Sequence, residues 1–222
     1  MKDILKENKV YVIGFALLFL IGCIKRSMQE KGDLVLYFAK LRAPSIDQFF
    51  LYCTQMGEEW IYVVAVLLLA FYRFRYALMV PFIGFFVLLI STSLKRFFGT
   101  PRPRTFFYEL FDNNEIINIQ NIDLFVGYTS FPSGHSMSGF AIFTFMALCI
   151  PNRIAKLLML VMASLVAFSR IVITQHFLED ILAGSLLGFL LAFFLYYLQK
   201  GRYTDAKYWF NSSLRPTNKE IA

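Results

Sequence analysis

The chain has 222 residues, of which 58% are hydrophobic and only 17% are charged. This composition, with a mean hydropathy of +0.57, excludes an ordinary water-soluble globular protein and predicts a single membrane domain over residues 1–222. Lys and Arg outnumber Asp and Glu by 22 to 15. Because these cations border apolar stretches and the sequence contains no nucleic-acid-binding module, the excess favours a membrane-surface role over nucleic-acid binding.

Six apolar stretches are candidates for membrane-spanning helices, since about 20 apolar residues cross a bilayer and somewhat shorter stretches are tolerated. The second stretch is short, and we expect its helix to begin earlier, near Ile46. The sequence therefore predicts an all-α polytopic integral membrane protein with six transmembrane helices. The six stretches are residues 10–24, 60–72, 76–94, 136–151, 154–173 and 181–199.

Three other segments connect or follow these spans. Residues 25–55 interleave charged with aromatic side chains, a pattern that predicts short amphipathic helices lying on the membrane surface. Residues 104–131 form a long connection, for which we expect a functional lid or a headgroup-binding loop. The polar tail at about 201–222 is expected in the cytoplasm, because the distribution of Lys and Arg favours both termini on that side.

The first of the chain's two histidines, His135, follows Pro-Ser-Gly at the start of an apolar stretch. Ser133 suits a helix N-cap, and Gly134 lets the backbone approach an anion closely. Free N–H groups at such a helix start bind phosphate, which would leave His135 placed to protonate a departing alkoxide. The alternative is a plain serine-capped helix that carries an interfacial histidine.

The second histidine, His176, precedes Asp180 by four residues, so on a helix the two side chains share one face. The carboxylate can accept a hydrogen bond from one imidazole nitrogen and leave the other as a lone pair. A nucleophilic histidine needs this arrangement. The alternative is a purely structural role, because Glu179 and Asp180 also suit the first turn of a helix.

Three cations in the same part of the chain could bind a phosphoryl group: Lys95, Arg102 and Arg170. Arginine presents a planar fork that matches phosphate oxygens, and lysine acts as a point charge. The alternative is that cations at helix ends reach for lipid headgroups. That explanation suffices for Arg96 and Arg104, which we leave out of the candidate site.

These residues form three ordered motifs: Lys-x6-Arg-Pro from Lys95, Pro-Ser-Gly-His at 132–135, and Ser-Arg-x5-His-x3-Asp at 169–180. With six spans, all three motifs fall on the membrane face opposite the termini. Over residues 95–188, the motif core, the chain resembles the type 2 phosphatidic acid phosphatase family, and every signature position is present. Before Trp60 the resemblance is limited to the layout of the chain.

The resemblance implies an all-helical, six-span enzyme that needs no metal or other cofactor. In the family, the histidine that matches His176 attacks phosphorus, and the carboxylate that matches Asp180 orients it. The histidine that matches His135 protonates the leaving group and then activates water against the phosphohistidine. The residues that hold the phosphoryl oxygens match Lys95, Arg102, Ser133, Gly134 and Arg170.

The expected substrate is a phosphorylated membrane lipid, hydrolysed at the periplasmic face of a bacterial inner membrane, with no nucleic acid and no obligate protein partner. Within the family the chain most resembles lipid A phosphatases that remove the 4′-phosphate, a similarity that rests on no single residue. Undecaprenyl pyrophosphate and phosphatidylglycerol phosphate phosphatases share the same motifs. A lipid phosphotransferase and a non-catalytic phospholipid-binding membrane protein are the further alternatives, whereas vanadate haloperoxidases, which share the constellation, are soluble.

Overall fold

The computed structural model describes residues 2–111, 124–200 and 209–214, so the middle of the predicted 104–131 connection and most of the polar tail lie outside the described residues. Within those ranges the chain contains α-helices, one short 3₁₀ helix at Trp209–Asn211 and no strand. The α-helices are α1 (Lys2–Glu7), α2 (Lys9–Ser27), α3 (Asp33–Lys40), α4 (Pro44–Gln55), α5 (Trp60–Ala70), α6 (Phe74–Phe98), α7 (Pro103–Phe111), α8 (Gly134–Cys149), α9 (Arg153–Val172) and α10 (Leu178–Gln199).

The described helices make the chain a multi-span helical membrane protein. Four are long and apolar enough to cross a bilayer: α2, α6 with its continuation into α7, α9 and α10. Helices α4 and α5 would supply a fifth span only if the bent pair is taken as one. Helix α8 has 16 residues, or about 24 Å, which is short of a full crossing. The described part of the chain therefore has four or five candidate spans, and the predicted count of six is not established.

The prediction that one helix runs from near Ile46 through the second apolar stretch is wrong. Helix α4 ends at Gln55, and α5 begins at Trp60 after a bend of 57°. In this break the N–H groups of Gly57 and Glu58 donate to carbonyls three residues back, at 2.9 and 3.0 Å, instead of four. Glycine is a poor helix former, and the two acids that follow it are unfavourable in an apolar helix.

Short helices do occupy the segment predicted to be amphipathic. Rings of α3 and α4, Phe38 and Phe50, pack on Phe168 near the end of α9, with centroids 5.2 and 5.7 Å away. The predicted 104–131 connection begins with helix as well, because α7 carries Pro103 at its first position, where the missing N–H costs nothing. These elements lie at the end of the bundle where α9 finishes.

Helix α8 is the centre of the bundle. Every residue from Ser136 to Cys149 is buried, as expected for a helix that is apolar all round. Helix α10 packs closely against it because Gly184 and Gly188 have no side chains: a Cβ atom at either position would overlap a backbone carbonyl oxygen of α8. The small residues of α10 thus bring its first turn against the N-terminus of α8.

The two ends of the bundle differ in their polar contacts. At one end Lys200 pairs with Glu7 at 2.6 Å, and the buried Lys156 donates a hydrogen bond to Asn8. The motif residues identified from the sequence lie at the other end, where α6 and α9 finish and where α8 and α10 begin. Helix α1 and the end of α10 therefore lie at the end of the bundle opposite the candidate site.

Candidate active site

Asp180 is the acceptor around which one half of the site is built. It lies in the first turn of α10, and its Oδ2 accepts hydrogen bonds from the N–H of Phe177 at 2.9 Å and the hydroxyl of Ser130 at 2.5 Å. The same oxygen lies 3.3 Å from Nδ1 of His176. The two roles predicted for Asp180, orienting the imidazole and stabilising the first turn of a helix, are therefore compatible, because the same carboxylate caps α10 and contacts His176.

His176 lies in the tight turn between α9 and α10, not on a helix as the four-residue spacing suggested. The N–H groups of Gln175 and His176 donate to the carbonyl oxygen of Arg170, at 2.9 and 3.1 Å, and close this turn. Thr174 supports the reversal with a positive φ of 57°. The His176 ring is thereby held against Asp180 although it precedes the helix.

The environment of His176 keeps its imidazole neutral. The residue is only 1% exposed, and its burial lowers its pKa well below the ordinary histidine value. The cations Arg170, Arg102 and Lys95 act in the same direction. When Nδ1–H donates to the Asp180 carboxylate, Nε2 carries the lone pair, which is the state in which a histidine can act as a nucleophile.

Two arginines are fixed beside His176 by neutral acceptors. The Nη1 group of Arg170 donates to the hydroxyl of Thr54 at 2.7 Å. The Nε group of Arg102 donates to Thr129 at 3.2 Å, and its Nη1 donates to the side-chain oxygen of Gln175 at 3.3 Å. Among the described residues the buried Nε of Arg170 has no hydrogen-bond partner. Donors left free in this way suit an incoming anion.

Lys95 joins these arginines from the last turn of α6. A Cβ atom built on Gly134 would lie 3.5 Å from Nζ of Lys95, so the ammonium group lies directly at the start of α8. Ser133 caps that helix by accepting from the N–H and the hydroxyl of Ser136, at 3.3 and 2.9 Å. The helix N-terminus and the ammonium group together form an anion-binding surface.

The N-cap of α8 is also tied to the start of α10, because the N–H of Ser133 donates to the carbonyl oxygen of Asp180 at 3.0 Å. This bond joins the half of the site around His176 to the half around His135. The two histidines are therefore positioned by one continuous set of backbone contacts.

His135 lies on the opposite side of the site and is more accessible, with a side chain 32% exposed. Its Nε2 is 4.0 Å from Oε1 of Glu58, in the break between α4 and α5. The residue lines a cavity of about 760 Å³ between α5, α6 and α8. The rest of its lining includes apolar residues such as Trp60, Tyr62, Phe85 and Leu88, and polar Ser91 and Ser138.

The structure brings all eight sequence-predicted residues to the same end of the bundle. Sequence reasoning missed their partners: Ser130, Thr129, Gln175, Thr54 and Glu58. The first three adjoin a recognised motif and could have been considered from their position. Thr54 and Glu58 carry no signal of that kind, since they are distant in sequence and belong to no motif.

The arrangement can bind a phosphoryl group between two imidazoles of different character. One imidazole is neutral, buried and oriented by a carboxylate, and the other is accessible from a largely apolar cavity. Fixed cationic donors facing such a group stabilise the charge that develops on phosphoryl oxygens during transfer.

Comparison with known proteins finds relatives that are named as lipid phosphate phosphatases. Lipid phosphate phosphatase 1 of Arabidopsis thaliana is 32% identical over 130 residues, which cover 49% of this chain and 39% of the relative. Probable lipid phosphate phosphatase 4 of the same plant is 32% identical over 141 residues, covering 51% of this chain and 45% of the relative. The chain thus spans less than half the length of these curated relatives.

Two solved structures share the fold. Aquifex aeolicus LpxE aligns with a TM-score of 0.62 at 23% identity, covering 75% of this chain and 94% of that one. The first transmembrane PAP2 type phosphatidylglycerolphosphate phosphatase from Bacillus subtilis aligns with a TM-score of 0.61 at 22% identity, covering 86% and 98%.

The family model of the PAP2 superfamily matches residues 75–204. This range is more than half of the chain and contains all eight of the predicted site residues. The family predicted from the three motifs is thereby confirmed, and the chain belongs to the PAP2 superfamily.

Proposed function

We propose that the chain is a metal-independent lipid phosphatase that hydrolyses a phosphate monoester of a membrane lipid through a phosphohistidine intermediate. One observation carries the proposal. The buried His176 is held through Nδ1 by Asp180, 3.3 Å away, and lies within electrostatic reach of three cations. A neutral, oriented imidazole facing concentrated positive charge suits nucleophilic attack on a phosphate.

In the first half of the reaction, Nε2 of His176 attacks phosphorus. An N–P bond forms while the ester P–O bond breaks, and His135 transfers its proton to the departing alkoxide. Lys95, Arg102, Arg170 and the N-terminus of α8 at Ser133 and Gly134 stabilise the charge on the phosphoryl oxygens.

In the second half, the now neutral His135 takes a proton from water, and the resulting hydroxide attacks the phosphohistidine. The N–P bond breaks, inorganic phosphate leaves, and both imidazoles return to their starting protonation states. Because His135 acts as acid and then as base, it must remain accessible to the leaving group and to water, as its position at the cavity wall allows.

The cavity beside His135 supports a lipid as the substrate. Its wall is largely apolar and includes a few polar groups, among them His135, Glu58 and Ser91, which suits an amphipathic molecule whose phosphate enters the site while its apolar part stays outside. We place the site at the periplasmic face of a bacterial inner membrane, with both termini in the cytoplasm, from the distribution of basic residues.

Among lipids, we propose the 4′-phosphate of lipid A as the first candidate, on the overall similarity of the sequence to enzymes of that class. Phosphatidylglycerol phosphate is the second, because a protein of similar fold from B. subtilis is a phosphatase of that lipid. Undecaprenyl pyrophosphate is a third, since its phosphatases share the motifs.

Phosphate release by the detergent-purified full chain tests the proposal. The assay contains EDTA and compares lipid A, phosphatidylglycerol phosphate, undecaprenyl pyrophosphate and phosphatidic acid, with His176→Ala in parallel. We expect release from one of these lipids by the wild type and none by the variant.

Each other outcome has a definite meaning. Activity that EDTA abolishes would contradict the metal-independent mechanism. Release that His176→Ala retains would contradict the nucleophile. No release unless a lipid acceptor is added would identify a phosphotransferase, and binding without turnover would identify a phospholipid-binding protein.

A further inference from the structure

The break between α4 and α5 brings an acidic residue to the imidazole of His135. Gly57 packs against α8 there: a Cβ atom at that position would lie 3.1 Å from the carbonyl oxygen of His135 and 3.3 Å from its Cβ. Glu58 follows directly, and its Oε1 lies 4.0 Å from Nε2 of His135. The absence of a side chain at Gly57 thus allows the close approach that carries Glu58 to the ring.

The other charged groups around His135 determine what the Glu58 carboxylate does to the imidazole. The groups that act on the imidazole electrostatically from the neighbouring elements are Arg170 of α9, His176 of the turn before α10, Lys95 of α6 and Arg102 after α6. Burial of the ring opposes its protonation most strongly, and all three permanent charges in that set are positive and act in the same direction. Glu58 is the carboxylate paired with His135 among the described residues, and it also acts on Arg170.

We propose that Glu58 is a positioning residue that keeps His135 protonated against the surrounding cations until the leaving group departs. The inference rests on the proposed phosphatase function and adds a member to its site from outside the three sequence motifs. Glu58 does not contact the phosphoryl group. It acts through the imidazolium of His135, whose positive charge it balances from the wall of the cavity.

The step that depends on Glu58 is proton transfer to the alkoxide. As the ester P–O bond breaks, the electron pair stays on the departing oxygen, and the proton moves from the imidazolium of His135 to that oxygen. An alkyl alcohol is a poor leaving group without this proton. An aryl phosphate such as p-nitrophenyl phosphate releases a stable phenolate and does not need it. The two substrates therefore separate an effect on His135 from a loss of structure.

The test compares Glu58→Gln with the matched variant Glu59→Gln, which removes the same charge one residue further along. For each, kcat/KM is measured from pH 5 to 9 with the lipid phosphate that the wild type hydrolyses and with p-nitrophenyl phosphate. In Glu58→Gln we expect the alkaline limb for the lipid to move about one pH unit lower, the shift typical of losing a nearby opposite charge. At pH 8 this is a fall of about tenfold.

The same variant should hydrolyse p-nitrophenyl phosphate within about twofold of the wild-type kcat/KM. Glu59→Gln removes a charge from the same cavity wall but not from the pair with His135, so its alkaline limb should stay at the wild-type position on both substrates. The inference is overturned if the two variants have the same pH profiles for the lipid. It is also overturned if Glu58→Gln loses activity on both substrates equally, which indicates a structural role. If the wild type releases phosphate from no substrate, the proposed function itself fails, and that result is distinct from either of these.

Discussion

The two histidines of the site are held in contrasting ways. His176 is 1% exposed, and its Nδ1 lies 3.3 Å from a carboxylate that two other donors also fix. The side chain of His135 is 32% exposed, lines a cavity and lies 4.0 Å from the carboxylate of Glu58. A nucleophile benefits from one fixed orientation, whereas an acid that later acts as a base must exchange protons with the leaving group and water.

The largest expected effect comes from replacing the buried histidine. His176→Ala should lower kcat by about 10⁴-fold or more on every substrate, because no other group can form the N–P bond. His135→Ala is the matched variant, and with p-nitrophenyl phosphate it should still release about one equivalent of phenolate in a rapid burst. Stopped-flow absorbance measures the burst. A burst from His176→Ala would contradict the assignment of His176 as the nucleophile.

Asp180→Asn should produce the next largest loss, about 10²- to 10³-fold in kcat. An asparagine amide can donate to Nδ1 and leave the proton on Nε2, which removes the lone pair needed for attack. Ser130→Ala deletes the 2.5 Å bond to the carboxylate and the 3.4 Å contact with Nδ1 of His176, and it should cost about tenfold. Steady-state kinetics with circular dichroism as a check on folding measures both, and equal losses in the two variants would argue against the tautomer explanation.

Gly184→Ala should separate the two halves of the site, since the added methyl group would overlap the carbonyl oxygen of Ser133. Overpacking of this kind lowers the free energy of unfolding by about 1–3 kcal/mol. Gly22→Ala is a milder control, because its new methyl group meets only the end of the Leu182 side chain, which can rotate. Thermal unfolding in detergent compares them, and equal midpoints would show that α10 does not need this close approach.

The smallest expected effect is on the titration of His176. Because burial and the cations lower the pKa of His176, its ring stays neutral and nucleophilic as the pH falls, and becomes protonated only well below about 6.5, the ordinary histidine pKa. The chain has only two histidines, so ¹⁵N-histidine NMR can follow both, with His135→Ala for assignment. Titration of both rings near pH 6.5 would contradict the prediction.

Local sequence patterns were enough to predict most helices, the family and the candidate residues. Apolar stretches predicted the positions of α2, α6, α9 and α10 to within a few residues, because a membrane-spanning helix depends on length and hydrophobicity alone. The catalytic roles of the eight motif residues remain predictions.

Tertiary structure decided what the local patterns could not. The apolar stretch that begins at Ser136 was predicted to be a span; it forms the 16-residue central helix α8, which is buried by its neighbours and whose crossing of the membrane is not established. The continuous helix expected from Ile46 is instead broken at the Gly57–Glu58 turn, because a contact with α8 favours a glycine there. Hydrophobicity predicts neither outcome, because it indicates that a segment is buried but not which segment packs against it.

The motifs by themselves determined which groups could carry phosphoryl chemistry, since residue type and spacing along the chain specify the nucleophile, acid and cations. Only the folded chain decided their partners. Thr54 contacts Arg170 across 116 positions of sequence, and Glu58 contacts His135 from a segment without a motif. Contacts between distant segments depend on how whole helices pack, and no periodicity within either segment encodes them.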